Sequence, residues 1–235
     1  MNTKMATMLV AMAVTVIFAL ALHHGQGPML GGLDIAMFRA INQDLQNPVL
    51  DSLAATASNI GSNDFELYIF MLLIILVMLL ISIIYNNREL KTLAVVLLVA
   101  LFVSRTAVDA LKPIFGIWRP YIYLNDAHVY IGGRWLDIGE LPFYGFERNS
   151  FPSGHATTTF TVLGVIWKYN RLRILLFSFL LLIMFFIVYV GQHYISDIIA
   201  GGIIGFTIGY LIRYLFLYSL DRVRSLRAIF SLIQR

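Results

Sequence analysis

Three groups of polar residues stand out from an otherwise apolar chain: Lys112 with Arg119-Pro120, Pro152-Ser153-Gly154-His155, and His193 with Asp197. His193 and Asp197 are four apart, so on a helix they share a face. A carboxylate that accepts from one imidazole nitrogen fixes the tautomer and leaves the other nitrogen's lone pair as a nucleophile or base. In the second group, Pro152 suits a first helical turn because it lacks the N–H that would go unpaired there. The free N–H groups and dipole of such a helix end attract an anion, and Gly154 lets that anion approach the backbone closely. Taken singly, each group has an ordinary reading: a serine-capped helix start, a solvated helix end, or juxtamembrane anchors. Their convergence shifts the balance. Two histidines, two cations and a helix N-terminus suit a phosphate monoester, which carries about −1.5 to −2 charge and three strong acceptor oxygens. Cations and N–H groups would clamp the phosphate while one histidine attacks in line and the other protonates the leaving oxygen.

The elements that must hold these groups are membrane helices. Of 235 residues, 59% are apolar and 13% charged, against about half and a quarter in soluble domains. A mean hydropathy of +0.80 exceeds what one buried core needs, so the expected fold class is all-α, a polytopic membrane helical bundle. Whole-chain disorder, collagen-like repeats and a nucleic-acid-binding domain are excluded; the net charge of +4 is scattered rather than clustered. The absence of cysteine excludes disulfides, thiolate metal sites and cysteine nucleophiles. Six transmembrane helices are expected: Met5–Leu22, Phe65–Tyr85, Leu90–Leu111, Phe151–Trp167, Ile174–Val190 and Asp197–Leu220. The fourth is short and threonine-rich, a composition tolerated where hydroxyls bond back to the helix. The first, with Lys4 and Ala19-Leu20-Ala21, also fits a cleavable signal peptide; it is read here as a retained helix.

Lys and Arg set the orientation. Lys4, Arg88/Lys91, Lys168/Arg171/Arg173 and the tail with Arg222, Arg224, Arg227 and Arg235 fall on one side, expected to be cytoplasmic with both termini. Residues 23–64, the long loop 112–150 and the turn at His193 fall on the other side of a cytoplasmic membrane, and carry more acidic than basic residues. The chain reads as a single domain, 1–235. Within it, residues 33–50 read as an amphipathic surface segment, with Leu33, Ile35, Met37, Phe38 and Ile41 near one face and Asp34, Arg39 and Asp44 off it, ended by Asn47-Pro48. Gly201, Gly205 and Gly209 recur at four-residue spacing, which suits close helix–helix packing. The loop aromatics Tyr121, Tyr123, Tyr130, Trp135, Phe143, Tyr144 and Phe146 read as interfacial anchors or packing, or a headgroup lid. His23, His24 and His128 have no partner at a recognisable spacing and read as incidental.

Lys112-Pro-Ile-Phe-Gly-Ile-Trp-Arg119-Pro120, Phe151-Pro-Ser-Gly-His155 and Gly191-Gln-His193-Tyr-Ile-Ser-Asp197 resemble the three signature motifs of the type 2 phosphatidic acid phosphatases. Those motifs are Lys-x6-Arg-Pro, Pro-Ser-Gly-His and Ser-Arg-x5-His-x3-Asp, and the resemblance extends to motif order and six-helix layout. It implies that His193 is the nucleophile, forming a phosphohistidine, that Asp197 orients it, and that His155 is the general acid. It also implies that Lys112, Arg119, Ser153 and the Gly154 backbone hold the phosphate, with no metal and no cofactor. The expected partners are the membrane and a lipid phosphate, without nucleic acid; oligomeric state is not legible.

One departure interrupts the resemblance. The family's serine and arginine fall at Phe186 and Ile187, and isoleucine cannot donate a hydrogen bond. Arg148, on the loop leading into Ser153, is the first candidate for the missing cation. Arg105 lies on the Lys112 face but four residues before Asp109, which favours a buried structural pair; Gln192 is a neutral candidate. The expected function is a lipid phosphate or diphosphate phosphatase, for which undecaprenyl diphosphate, phosphatidylglycerol phosphate, phosphatidate and a lipid A phosphate are candidate substrates. The alternatives are a lipid phosphotransferase of the lipid A type using the same site, and a non-catalytic lipid-phosphate binder; a haloperoxidase is disfavoured by the membrane spans.

Overall fold

A computed structural model of the chain describes residues 3–23, 25–60, 64–136 and 149–233. Its helices are α1 (Thr3–Leu22), α2 (Gly32–Asn42), α3 (Pro48–Ile60), α4 (Asp64–Ile84), α5 (Arg88–Phe115), α6 (Pro120–Tyr123), α7 (Gly154–Ile166), α8 (Asn170–Tyr189) and α9 (Ile195–Ile233). A small antiparallel hairpin, β1 (Val129–Ile131) and β2 (Arg134–Leu136), pairs Tyr130 with Trp135. Local chemistry sets the ends. Asn87 Oδ1 accepts the Leu90 N–H (3.0 Å) to start α5, and Gly116, at φ 58°, ends it three residues before Arg119.

Three described stretches are long and apolar enough to cross a membrane: Glu66–Ile84, Arg88–Tyr123 and Ile195–Ser219. Apolar side chains of α1, α4 and α8 such as Ile17, Phe18, Leu73, Leu76, Leu175 and Leu181 lie exposed, as helices facing lipid require. The stretch expected as the fourth crossing folds as the 13-residue α7. At 1.5 Å per residue that is about 20 Å, short of the ~30 Å hydrocarbon layer. Its first six residues, Gly154 to Thr159, are all buried, so α7 is an internal helix rather than a lipid-facing one. Thr157, Thr159 and Thr161 bond back to the carbonyls of Ser153 (2.9 Å), His155 (2.7 Å) and Thr157 (2.7 Å), which satisfies their hydroxyls inside the bundle.

The glycines at four-residue spacing explain how α7 and α9 approach each other. A Cβ on Gly201 would meet the Ser153 carbonyl, one on Gly205 the Thr157 backbone, and one on Gly209 the Thr161 carbonyl. Bare backbone against bare backbone brings the start of α7 beside the start of α9. Ser153 N–H then donates to the Asp197 C=O at 3.0 Å.

Residues 33–50 depart from expectation twice. Asn47-Pro48 begins α3 rather than ending a segment, because Asn47 Oδ1 accepts the Val49 and Leu50 N–H groups (3.1 and 3.0 Å) and proline is suited to the first helical position. The faces of α2 are also rearranged: Asp34 is fully buried whereas Leu33 and Met37 are exposed. The Asp34 carboxylate accepts from Leu30 N–H (2.9 Å), Ser196 N–H (3.1 Å) and Ser196 O–H (2.6 Å), capping the first turn of α9 from outside the helix. Burial pushes the Asp34 carboxyl above its ordinary value, while the Ser196 and Leu30 hydrogen bonds pull against that rise. Asp34→Ala strands the buried Ser196 donors, at a cost of about 1–3 kcal/mol per unsatisfied group. The variant is expected to melt several degrees below wild type in detergent, and an unchanged melting temperature would refute the capping role.

Candidate active site

The turn between α8 and α9 carries His193. Gly191 makes the turn at φ +83°, and a Cβ there would also crowd the His128 carbonyl, so this position requires glycine. His193 is fully buried. Its Nδ1 lies 3.2 Å from Asp197 Oδ2 and its Nε2 lies 3.4 Å from an Arg119 guanidinium nitrogen. Arginine only donates, so Nε2 is the acceptor and the ring hydrogen sits on Nδ1, facing the carboxylate. The first-turn geometry therefore orients His193 with its Nε2 lone pair toward the cationic side. Arg119 also donates to the Gln192 C=O (3.2 Å), fixing the guanidinium against the same turn. Lys112, in the last turn of α5, adds its charge: both Arg119 and Lys112 act electrostatically on Asp197.

The second group packs opposite. Ser153 is the N-cap of α7 and accepts the Ala156 N–H (3.4 Å), and a hydroxyl that accepts can still donate. Gly154 opens the helix and His155 follows, nearly inaccessible. The His155 and His193 ring centroids stand 6.4 Å apart at an interplanar angle of 73°. The structure thus brings Arg119, His193, Asp197, Ser153, Gly154 and His155 together, with Lys112 within electrostatic reach. Arg148, together with Phe143, Tyr144, Phe146 and His24, lies outside the described residues.

Two expectations about neighbouring residues change, and Ile187 is placed. Arg105 and Asp109 do pair (2.8 Å), but with side chains 28% and 50% accessible they form a surface pair, not a buried one. Ile187 is 7% accessible and packs on Ala156 and Met184, beside the first turn of α7. His128 is not incidental. Gln46 Nε2 donates to His128 Nδ1 (2.7 Å), which leaves His128 Nε2–H for Asp51 Oδ1 (3.2 Å), and the ring stacks on Trp135 at 3.9 Å. Tyr189 O–H donates to the same Asp51 oxygen (2.6 Å). Asn42 Nδ2 donates to the His128 and Tyr189 carbonyls (2.7 Å each) while its Oδ1 accepts the His128 N–H (2.8 Å). This network pins the β1 end of the loop and the C-terminus of α8 to α2 and α3, directly behind the His193 turn. The pairing is long-range in sequence, so spacing gave no sign of it. His23 meets Phe115 edge-on at 5.8 Å.

Sequence reasoning also missed Ser150. It is fully buried, and its Oγ lies 2.5 Å from Asp197 Oδ2 and 3.3 Å from His193 Nδ1. A serine in a loop carries no signature by type; its position just ahead of Phe151-Pro152-Ser153 was the only available hint.

From His155, Gln192 and Ile187 an apolar cavity of about 510 Å³ runs along α7 to Ile166, walled by α3, α4, α5 and α8. The eleven steps from His155 to Ile166 rise about 16 Å, or about half of a ~30 Å hydrocarbon layer. Among the described residues no three histidine, aspartate or glutamate side chains gather where they could hold a metal ion.

Comparison with known proteins follows from this geometry. The structure is similar to a transmembrane PAP2-type phosphatidylglycerolphosphate phosphatase from Bacillus subtilis, at a TM-score of 0.63 and 19% identity, covering 91% of this chain and 96% of that one. It is also similar to LpxE of Aquifex aeolicus, at a TM-score of 0.52 and 24% identity, covering 77% of this chain and 94% of that one. At these identities the likeness concerns the fold. No curated protein matches the sequence significantly. Residues 90–221, more than half of the chain and the span that holds all three polar groups, match the PAP2 superfamily, and the chain belongs to that superfamily.

Proposed function

We propose that this protein is an integral membrane lipid phosphatase that cleaves lipid phosphates or diphosphates, without metal, through a phosphohistidine on His193. The observation that carries the reading is the placement of the cavity: it is apolar along its length and opens on His155, the residue suited to protonate a departing lipid oxygen. A phosphoryl group between the two imidazoles would have His193 Nε2 on one side and the lipid oxygen on the other. Nε2 attacks phosphorus, the bond to the lipid oxygen breaks, and His155 gives that oxygen its proton. Water then attacks phosphorus, His155 takes the water's proton, and the phosphorus–nitrogen bond breaks to release phosphate and regenerate His193. Arg119, Lys112, Ser153, the Gly154 N–H and Arg148 stabilise the equatorial oxygens, the usual means of accelerating phosphoryl transfer. Asp197 holds the imidazole in its Nδ1–H form.

The proposed topology puts this site on the outer face of a cytoplasmic membrane, with both termini inside, as the distribution of Lys and Arg supports. Phosphatidylglycerol phosphate is the first substrate to test, since one of the similar structures is a phosphatase for it; undecaprenyl diphosphate, phosphatidate and a lipid A phosphate complete the panel. Inorganic phosphate release is measured with and without a second lipid as acceptor, before and after EDTA. Free phosphate that survives EDTA supports the phosphatase. Phosphate found only on the acceptor lipid replaces this reading with a phosphotransferase, and neither product leaves a binder.

Position 187 gives a sharper test. Ile187 packs beside the first turn of α7, so Ile187→Arg would aim a guanidinium at the proposed phosphate cradle. One charge-assisted hydrogen bond contributes about 1.5–3 kcal/mol, so KM for the lipid phosphate is expected to fall about tenfold or more. The same variant buries an unpaired charge in the empty enzyme, so its melting temperature is expected to drop and to recover with added inorganic phosphate. No change in either quantity would show that position 187 does not face the phosphate.

A further inference from the structure

We infer that Ser150 is a positioning residue that locks the His193–Asp197 pair, an inference that rests on His193 being the nucleophile. Ser150 joins the three motif regions. Its N–H donates to the Ile117 C=O (2.9 Å), two residues before Arg119. It stands three residues before the Ser153 cap, and its Oγ reaches both members of the dyad, 43 and 47 residues away in sequence.

The geometry assigns the hydroxyl two tasks at once. Asp197 Oδ2 receives three donors: Ser150 O–H (2.5 Å), Tyr194 N–H (2.9 Å) and His193 Nδ1–H (3.2 Å). Asp197 Oδ1, equally buried, has no hydrogen-bond partner among the described residues. The carboxylate is therefore held by one oxygen, and Ser150 supplies its shortest bond. The Nδ1–H of His193 lies almost midway between two acceptors, Asp197 Oδ2 at 3.2 Å and Ser150 Oγ at 3.3 Å. A hydroxyl can donate and accept together, so Ser150 closes a ring of three groups around one hydrogen. That ring fixes the imidazole plane and keeps Nε2 facing Arg119. A buried serine with a merely local role bonds back to its own segment; this one bonds to side chains far along the chain.

Ser150 has no part in the phosphate cradle, and its removal should affect the chemical step rather than binding. With the purified full-length chain in detergent, Ser150→Ala is expected to lower kcat about 10–100-fold, since a displacement of about 1 Å in a reacting group can cost about 100-fold. KM for the lipid phosphate and the inhibition constant of inorganic phosphate are expected to stay within about threefold. In an Asp197→Asn background, followed by single-turnover phosphate release, the same change should cost less than about threefold, because the group through which Ser150 acts is already altered. Ser150→Cys, similar in volume and a weaker donor, is expected to fall between wild type and alanine. The inference is overturned if Ser150→Ala keeps kcat within about twofold of wild type, or if its loss is undiminished beside Asp197→Asn. It is equally overturned if KM, the inhibition constant and the melting temperature all move together. His193→Ala, assayed in parallel, separates the two levels: a phosphoenzyme that persists without His193 removes the nucleophile beneath the inference, whereas an inactive His193→Ala beside a normal Ser150→Ala removes the Ser150 role alone.

Discussion

His193→Ala is expected to eliminate the covalent phosphoenzyme and to lower turnover by about four orders of magnitude or more, as deletion of a covalent nucleophile does. The imidazole is fully buried, its Nδ1–H is held by Asp197 and its Nε2 faces Arg119. The expected experiment is a reaction with a phosphorus-labelled lipid quenched in alkaline detergent, where a phosphorus–nitrogen bond survives, reading label on protein and free phosphate. His155→Ala should give a different pattern. An activated leaving group needs little protonation, so this variant should recover much of its lost rate on a good leaving group and little on a lipid alcohol. Equal losses on both substrates, or a labelled His193→Ala protein, would reverse the assignment of roles.

Gly205→Val carries the second large effect, and it acts without touching substrate. A side chain at 205 collides with the Thr157 backbone, so α7 and α9 must separate. Overpacking typically costs about 1–3 kcal/mol where side chains can yield; here the obstacle is a main chain, so the cost is expected at the upper end of that range or beyond. Separation also moves the Ser153-Gly154-His155 turn away from Asp197, whose carbonyl holds the Ser153 N–H. A displacement of about 1 Å can cost 100-fold in rate, so activity should fall further than stability alone explains. Gly202→Ala is the control, since its Cβ meets only the Phe160 ring at 3.5 Å, and it should remain close to wild type in melting temperature and turnover. A well-folded, active Gly205→Val protein would mean that the two helices have slack.

The contrast between what the residues announced and what they concealed follows from the range of the interactions. Ser153 with Gly154, and His193 with Asp197, are local and legible within a few positions, but Pro152 stands before the Ser153 cap rather than in the first turn, and His193 reaches Asp197 from the turn ahead of α9 rather than from the helix itself. The glycine spacing likewise announced a close helix contact, though not its partner. Asp34 was misread because its amphipathic context suggested a wet face, while the donors that bury it come from Ser196, 162 residues away. His128 and Ser150 were passed over for the same reason, since Asp51 and Asp197 lie far from them in sequence. The α7 stretch was read as a crossing on apolar content, and its backbone-to-backbone approach to α9 at Gly205 and Gly209 is something composition does not encode.

The cavity between α4, α5, α7 and α8 alters the meaning of concentration for this protein. On the proposed topology it reaches inward from His155 through about half of a ~30 Å hydrocarbon layer. On the proposed function a substrate need never leave its own leaflet to be cleaved, so the encounter takes place in two dimensions. The natural variable is then the mole fraction of lipid phosphate in the surface, and diluting the substrate with inert lipid or detergent should slow the reaction at constant bulk concentration. Membrane fluidity becomes a kinetic parameter, and a short-chain soluble analogue, which arrives from water and leaves the cavity unfilled, reports on a different Michaelis complex.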